Sequence, residues 1–131
     1  MSFKDVNILL VEDNNKTRNL ISNLLSDMGI YQVFEAKDGR EAQEFLDSAV
    51  DQVDLIICDW KMPRMTGIEL LQQVRTVYRT MPFLMITGNA DPDSVKAARM
   101  FGVNAYMAKP FTAEQFERKV TMLLRQLKTP I

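Results

Sequence analysis

Five times along the chain, a short run of mostly apolar residues is followed by a segment whose apolar residues recur at intervals of three and four. That alternation constrains the fold more than any other feature. Apolar runs of this length read as strands, and a period of about 3.6 residues reads as amphipathic helix. Strands that are apolar on both sides need cover on both sides, and the strand-helix-strand order makes neighbouring strands parallel. The pattern predicts an α/β fold: a doubly wound (βα)5 unit whose five-stranded parallel sheet carries helices on both faces.

The punctuation places the boundaries. Asn7 to Val11 (NILLV) is the first strand; Leu20, Ile21, Leu24, Leu25 and Met28 form the inward stripe of the first helix, which Gly29 closes. A second strand runs from Ile30 to Ala36, and Asp38 with Glu41 has capping-box spacing ahead of a helix that turns Ala42, Phe45, Leu46 and Ala49 inward. The third strand is Val53 to Cys58. Beyond the Met62-Pro63 turn, Thr66 and Glu69 form another capping box for a helix with Ile68, Leu71, Val74 and Tyr78 at helical spacing. Phe83 to Ile86 is the fourth strand, ending at Thr87-Gly88, and Asp91 with Pro92 opens a helix that Gly102 closes. Val103 to Ala108 is the fifth strand. Thr112 and Gln115 start a last helix bearing Phe116, Val120, Leu123, Leu124 and Leu127.

With 131 residues, 47% hydrophobic and 25% charged, the chain suits one domain over residues 1–131, able to bury a core without disulfides and leaving little room for a second. Sixteen basic and seventeen acidic residues are mixed along it, so no basic face invites nucleic acid or an anionic membrane. No segment reads as a signal peptide or a membrane span, which makes the cytoplasm the expected location. The single cysteine, Cys58, lies in an apolar run and reads as a core residue; most of the nine methionines read the same way. There is no histidine. That excludes Ser-His-Asp and Cys-His nucleophilic systems, His-ligated zinc, and phosphate carried on a histidine.

In parallel α/β sheets, ligands bind outside the carboxyl ends of the strands. Glu12 and Asp13 follow the first strand, Asp59 the third, Thr87 the fourth and Lys109 the fifth. Each alone reads as a turn, cap or surface residue, but one topology brings all of them to one edge. Three carboxylates there repel, each pair by on the order of 4 kcal/mol at about 4.5 Å and an effective dielectric of about 20. Lys109 and a divalent ion would balance the three negative charges, and a site of oxygen donors without imidazole or thiolate selects Mg²⁺, or Mn²⁺ in its place. Asp59 at the pocket mouth, with a hydroxyl and an ammonium nearby, has the parts of a phosphoryl acceptor.

VED at Val11 to Asp13, CDWKMPRMTGIELL at Cys58 to Leu71, MITG at Met85 to Gly88 and AYMAKPF at Ala105 to Phe111 resemble the receiver domain of two-component response regulators, above all its CheY-like chemotaxis members. The resemblance covers almost the whole chain. It implies a flavodoxin-like fold of strand order 2-1-3-4-5, with Asp59 as the phosphoacceptor served by a CheA-like histidine kinase. It also implies Mg²⁺ on Asp13, Asp59 and the backbone carbonyl of Lys61, with Glu12 acting mostly through water. Thr87 and Lys109 would bind phosphoryl oxygens, Tyr106 would be a rotameric switch turning inward, and Lys109-Pro110 would be cis. The implied partners are the kinase, a target such as the flagellar motor switch and a phosphatase, with no nucleic acid or membrane; the chain would be a monomer. Lys61 and Asn89 depart from the family pattern at positions flanking the attacking water, which bears on autodephosphorylation.

Within signalling, three roles remain open: chemotaxis regulator, phosphorelay intermediate, and receiver of a longer regulator. Two other classes share the architecture. A Mg²⁺-dependent aspartyl-phosphate phosphohydrolase would carry a second Asp where Lys61 stands. A flavodoxin-like electron carrier would cradle the FMN phosphate where Glu12 and Asp13 would repel it.

Overall fold

The computed structural model describes residues 3–88 and 91–128, the last two as backbone only. Strands β1 (Asn7–Val11), β2 (Gln32–Ala36), β3 (Leu55–Asp59), β4 (Phe83–Thr87) and β5 (Ala105–Ala108) alternate with helices α1 (Asn15–Asp27), α2 (Gly39–Ala49), α3 (Gly67–Val77), α4 (Pro92–Met100) and α5 (Ala113–Lys128). All strand pairs are parallel, in the order β2-β1-β3-β4-β5. The chain begins in the sheet, moves out to the edge at β2, then crosses back past β1 to β3. Strand order therefore reverses between β1 and β3, whose carboxyl ends open a crevice.

Strand period divides the core in two. Ile8, Leu10, Leu55, Ile57, Leu84 and Ile86 face α1 and α5, meeting Ile21, Leu25, Phe116, Val120 and Leu124. Leu9, Val11, Ile56, Cys58, Phe83 and Met85 face the other way, onto Ala42 and Leu46 of α2 and Leu70, Leu71 and Val74 of α3. Each large side chain buried this way contributes about 1.5–3 kcal/mol, which accounts for continuous apolar strands at the centre of the sheet. Cys58 is buried in the second cluster, as its place in the sequence suggests.

The predicted caps form. Asp38 accepts from the Glu41 amide at 2.8 Å and Asp91 from Ser94 at 2.8 Å. Thr66 with Glu69, and Thr112 with Gln115, exchange hydrogen bonds in both directions. Gly29 and Gly102 adopt φ of 85° and 87° after α1 and α4, the left-handed conformation that lets the chain leave a helix sharply.

Three expectations need correction. Leu20 is 53% exposed: it sits on the solvent edge of α1, one step beyond the stripe that Ile21, Leu24 and Leu25 bury. Met100 and Met122 are exposed at the end of α4 and on the outer side of α5, so the methionines are not uniformly core. The second, third and fifth strands each begin two residues later than expected, at Gln32, Leu55 and Ala105, and the third runs through Asp59. Leu127 and Asn89 lie outside the residues whose side chains are described. No described helix is long and apolar enough to cross a membrane.

Candidate functional site

Ladder register brings the predicted residues together. Val11 pairs with Cys58, so Glu12 and Asp59 follow side by side; Thr87 pairs with Ala108, so Lys109 follows next to it. Hydrogen bonds from Glu12 N to Ala36 O, Trp60 N to Ile86 O and Lys109 N to Thr87 O extend each ladder by one residue and fix where these side chains leave the sheet. Asp59 follows Leu55 and Ile57 in strand period, while Cys58 turns to the opposite face.

Carboxylate oxygens of Glu12, Asp13 and Asp59 lie within 4.8 Å of one another. Glu12 is 1% exposed and Asp59 8%, whereas Asp13 faces solvent. The Lys109 ammonium stands between the two buried carboxylates, 3.1 Å from Glu12 Oε1 and 3.3 Å from Asp59 Oδ1. It does not neutralise them fully. Burial pushes the Glu12 carboxyl up, with the Asn14 amide drawing it partly back; burial also pushes the Asp59 carboxyl up, with Lys109 opposing. The Lys109 ammonium, despite burial, is raised by Asp59 and Glu12. A buried cluster of two carboxylates and one ammonium retains net negative charge and a demand for further cation.

Thr87, the last residue of β4, is 2% exposed. Tyr106 on β5 packs against the α2 and α3 side of the sheet with its phenol oxygen buried and without a hydrogen bond of ordinary geometry. Burial raises the phenol, and the Thr87 hydroxyl is near enough to offset part of that rise. Lys109-Pro110 is cis. Lys61 is exposed in the loop after β3, which the Gly67 N to Trp60 O bond closes at 2.8 Å. Trp60 is half-buried against the second core cluster. Phe111 is also half-buried, stacked on Phe116 with ring centroids 5.7 Å apart.

Two supports were not foreseen. Arg18 on α1 donates to the backbone carbonyl of Glu12 at 3.0 Å and pairs with Glu35 at 3.3 Å, and the Asn14 amide donates to Glu12 Oε2 at 3.1 Å. Together they hold the loop carrying the acidic pair. The only sequence signal for Arg18 was a cation one turn into a helix that starts beside that pair.

Residues 8–121 match the response regulator receiver domain. Chemotaxis protein CheY of Pseudomonas aeruginosa is 40% identical over 92% of this chain and 97% of its own length. The structure of the chemotaxis response regulator CheY4 of Vibrio cholerae superposes with a TM-score of 0.82 at 33% identity, covering 90% of this chain and 98% of that one. A two-component response regulator/GGDEF domain protein superposes at 0.88 with 24% identity, a likeness of fold alone, and this chain spans 51% of its length. With the acidic crevice, the lysine across it and the 2-1-3-4-5 sheet, these likenesses establish that the chain belongs to the response regulator receiver domain family of two-component signalling.

Proposed function

We propose that Asp59 accepts a phosphoryl group from a CheA-like histidine kinase, and that the acylphosphate reshapes the face of α4, β5 and α5 for a downstream partner in CheY-like control of the flagellar motor. The observation that carries this reading is the placement of Asp59. It ends β3, is nearly buried, lies 3.3 Å from the Lys109 ammonium and shares a crevice with two further carboxylates. The names of the P. aeruginosa and V. cholerae relatives support the chemotaxis role.

The donor set fits a divalent cation: oxygen ligands only, close enough to share one ion, with excess negative charge. Glu12, Asp13, Asp59 and the Lys61 backbone carbonyl would hold Mg²⁺, with Mn²⁺ as substitute. Bound there, the ion supplies positive charge beside the phosphoryl oxygens.

In the transfer, a carboxylate oxygen of Asp59 forms the new O–P bond as the P–N bond to the donor imidazole breaks, its electron pair returning to that nitrogen. The Lys109 ammonium and the Thr87 hydroxyl donate to phosphoryl oxygens, in a site dry enough to strengthen both bonds. Lys61 stands where a phosphohydrolase of this architecture would need its second aspartate, so the domain is a phosphoacceptor with self-phosphorylation and autodephosphorylation only.

The test begins with a purified, phosphorylated histidine kinase. Wild type is expected to take up the label and Asp59→Asn is not; uptake by the variant overturns the acceptor assignment. Offered next a flagellar-switch peptide and a histidine phosphotransfer protein, the labelled chain is expected to bind the peptide. Return of the phosphoryl group to the phosphotransfer protein instead would assign it to a phosphorelay.

A further inference from the structure

Among the described residues, Arg64 is the only one other than glycine with positive φ, at 67°, a conformation that L-residues other than Asn and Asp seldom adopt. Its side chain runs across to α2. Arg64 Nε lies 3.4 Å from Oδ2 of Asp38, whose other oxygen accepts the Glu41 amide as the α2 cap. Asp38 is 4% exposed, so this carboxylate is buried and both of its oxygens are engaged. The next residue along each loop also meets: a Cβ on Gly39 would fall 2.9 Å from the Met65 Cβ, Cγ and carbonyl oxygen. Only glycine at position 39 lets the two loops lie this close.

The loop of residues 61–66 is thus held at two places. The Gly67 N to Trp60 O bond closes its ends, and Arg64 with Met65 seats its outer part on the start of α2. Lys61 lies in this loop. The geometry points to Arg64 and Asp38 as positioning residues that hold the loop between β3 and α3, and with it the Lys61 carbonyl, in the shape needed to bind a divalent cation. This rests on the metal reading above. Outer contacts that orient a ligand are worth a measurable part of metal affinity, and a pair in which one partner is buried is less screened than one wholly in solvent.

The experiment titrates the full chain with Mg²⁺, following Trp60, the only tryptophan. Arg64→Gly removes the side chain while accommodating the positive φ, so it separates the ion pair from backbone strain. Asp38→Asn keeps the cap oxygen and removes the charge. Each is expected to weaken Mg²⁺ binding about fivefold, the double variant no further than either, and Arg64→Lys to regain most of the affinity. Thermal unfolding without Mg²⁺ runs alongside; a lower Tm with unchanged Mg²⁺ affinity would mean a structural role only and overturn the proposal. Losses that multiply in the double variant would also overturn it. If Arg64→Gly and Asp38→Asn bind like wild type while Asp13→Ala does not, the pair has no such role and the metal reading stands. If Asp13→Ala binds like wild type, the metal reading fails and the positioning role falls with it.

Discussion

The Lys109 ammonium lies 3.3 Å from Oδ1 of Asp59, joining the ends of β5 and β3 across the end of β4 that lies between them. The same nitrogen reaches Glu12 at 3.1 Å, so a single cation spans the buried acidic cluster. Replacing it removes the counter-charge and, on the proposed reading, a donor for phosphoryl oxygens. Lys109→Ala is expected to slow phosphorylation of Asp59 by acetyl phosphate about a hundredfold, measured as the rate of mass gain at fixed Mg²⁺. An unchanged rate would remove Lys109 from the reaction.

Asp59 is also a stability liability without metal. Its carboxyl is raised from the ordinary 3.8 by burial, against the pull of Lys109. A raised carboxyl contributes stability below its unfolded value that is lost as pH rises through its folded value, so at pH 7 the ionised group weakens the apo fold. Asp59→Asn should therefore raise Tm at pH 7 in EDTA by on the order of 3 °C. The gain should shrink as pH falls toward 4. A lower Tm for the variant at pH 7 would mean that the pairing with Lys109 outweighs desolvation.

Much of this site is legible in the sequence because strand ends in a parallel sheet are readable. Once Asn7–Val11, Leu55–Asp59, Phe83–Thr87 and Ala105–Ala108 are recognised as apolar runs, the polar residues that end them must share an edge. What stays hidden depends on contacts between distant loops. Neither Asp38 nor Arg64 carries a local signal of the other, since Asp38 reads completely as a helix cap and Arg64 as a surface cation. Leu20 was misplaced for a different reason: the apolar stripe of α1 is wider in sequence than the surface it has to cover. The burial of the Tyr106 phenol depends on packing against neighbouring elements that periodicity does not describe.

That buried phenol predicts an effect of its own. A hydroxyl with no hydrogen-bond partner costs the fold its desolvation, so Tyr106→Phe should stabilise the protein by about 1 kcal/mol. Urea unfolding followed by circular dichroism measures it. A loss of stability of similar size would show that the hydroxyl is engaged, with Thr87 as the partner.

On the proposed reading Thr87, buried at the end of β4 beside β5, couples the site to that tyrosine. Thr87→Ala should still be phosphorylated, because Asp59, the acidic pair and Lys109 remain. It should lose most of the phosphorylation-dependent gain in partner affinity, whose size is limited by the differential contact the hydroxyl makes, about 1.5–3 kcal/mol with a charged acceptor. Calorimetric titration of the partner with both forms checks it; a gain equal to wild type would mean that the signal bypasses Thr87.

Intact-mass measurement after incubation with acetyl phosphate and Mg²⁺ tests the acceptor assignment most directly. Wild type should gain one phosphoryl group that EDTA prevents and that fragmentation places on Asp59, and Asp59→Asn should gain none. Equal labelling of the two proteins, or a phosphoryl group on another residue of the wild type, would contradict it.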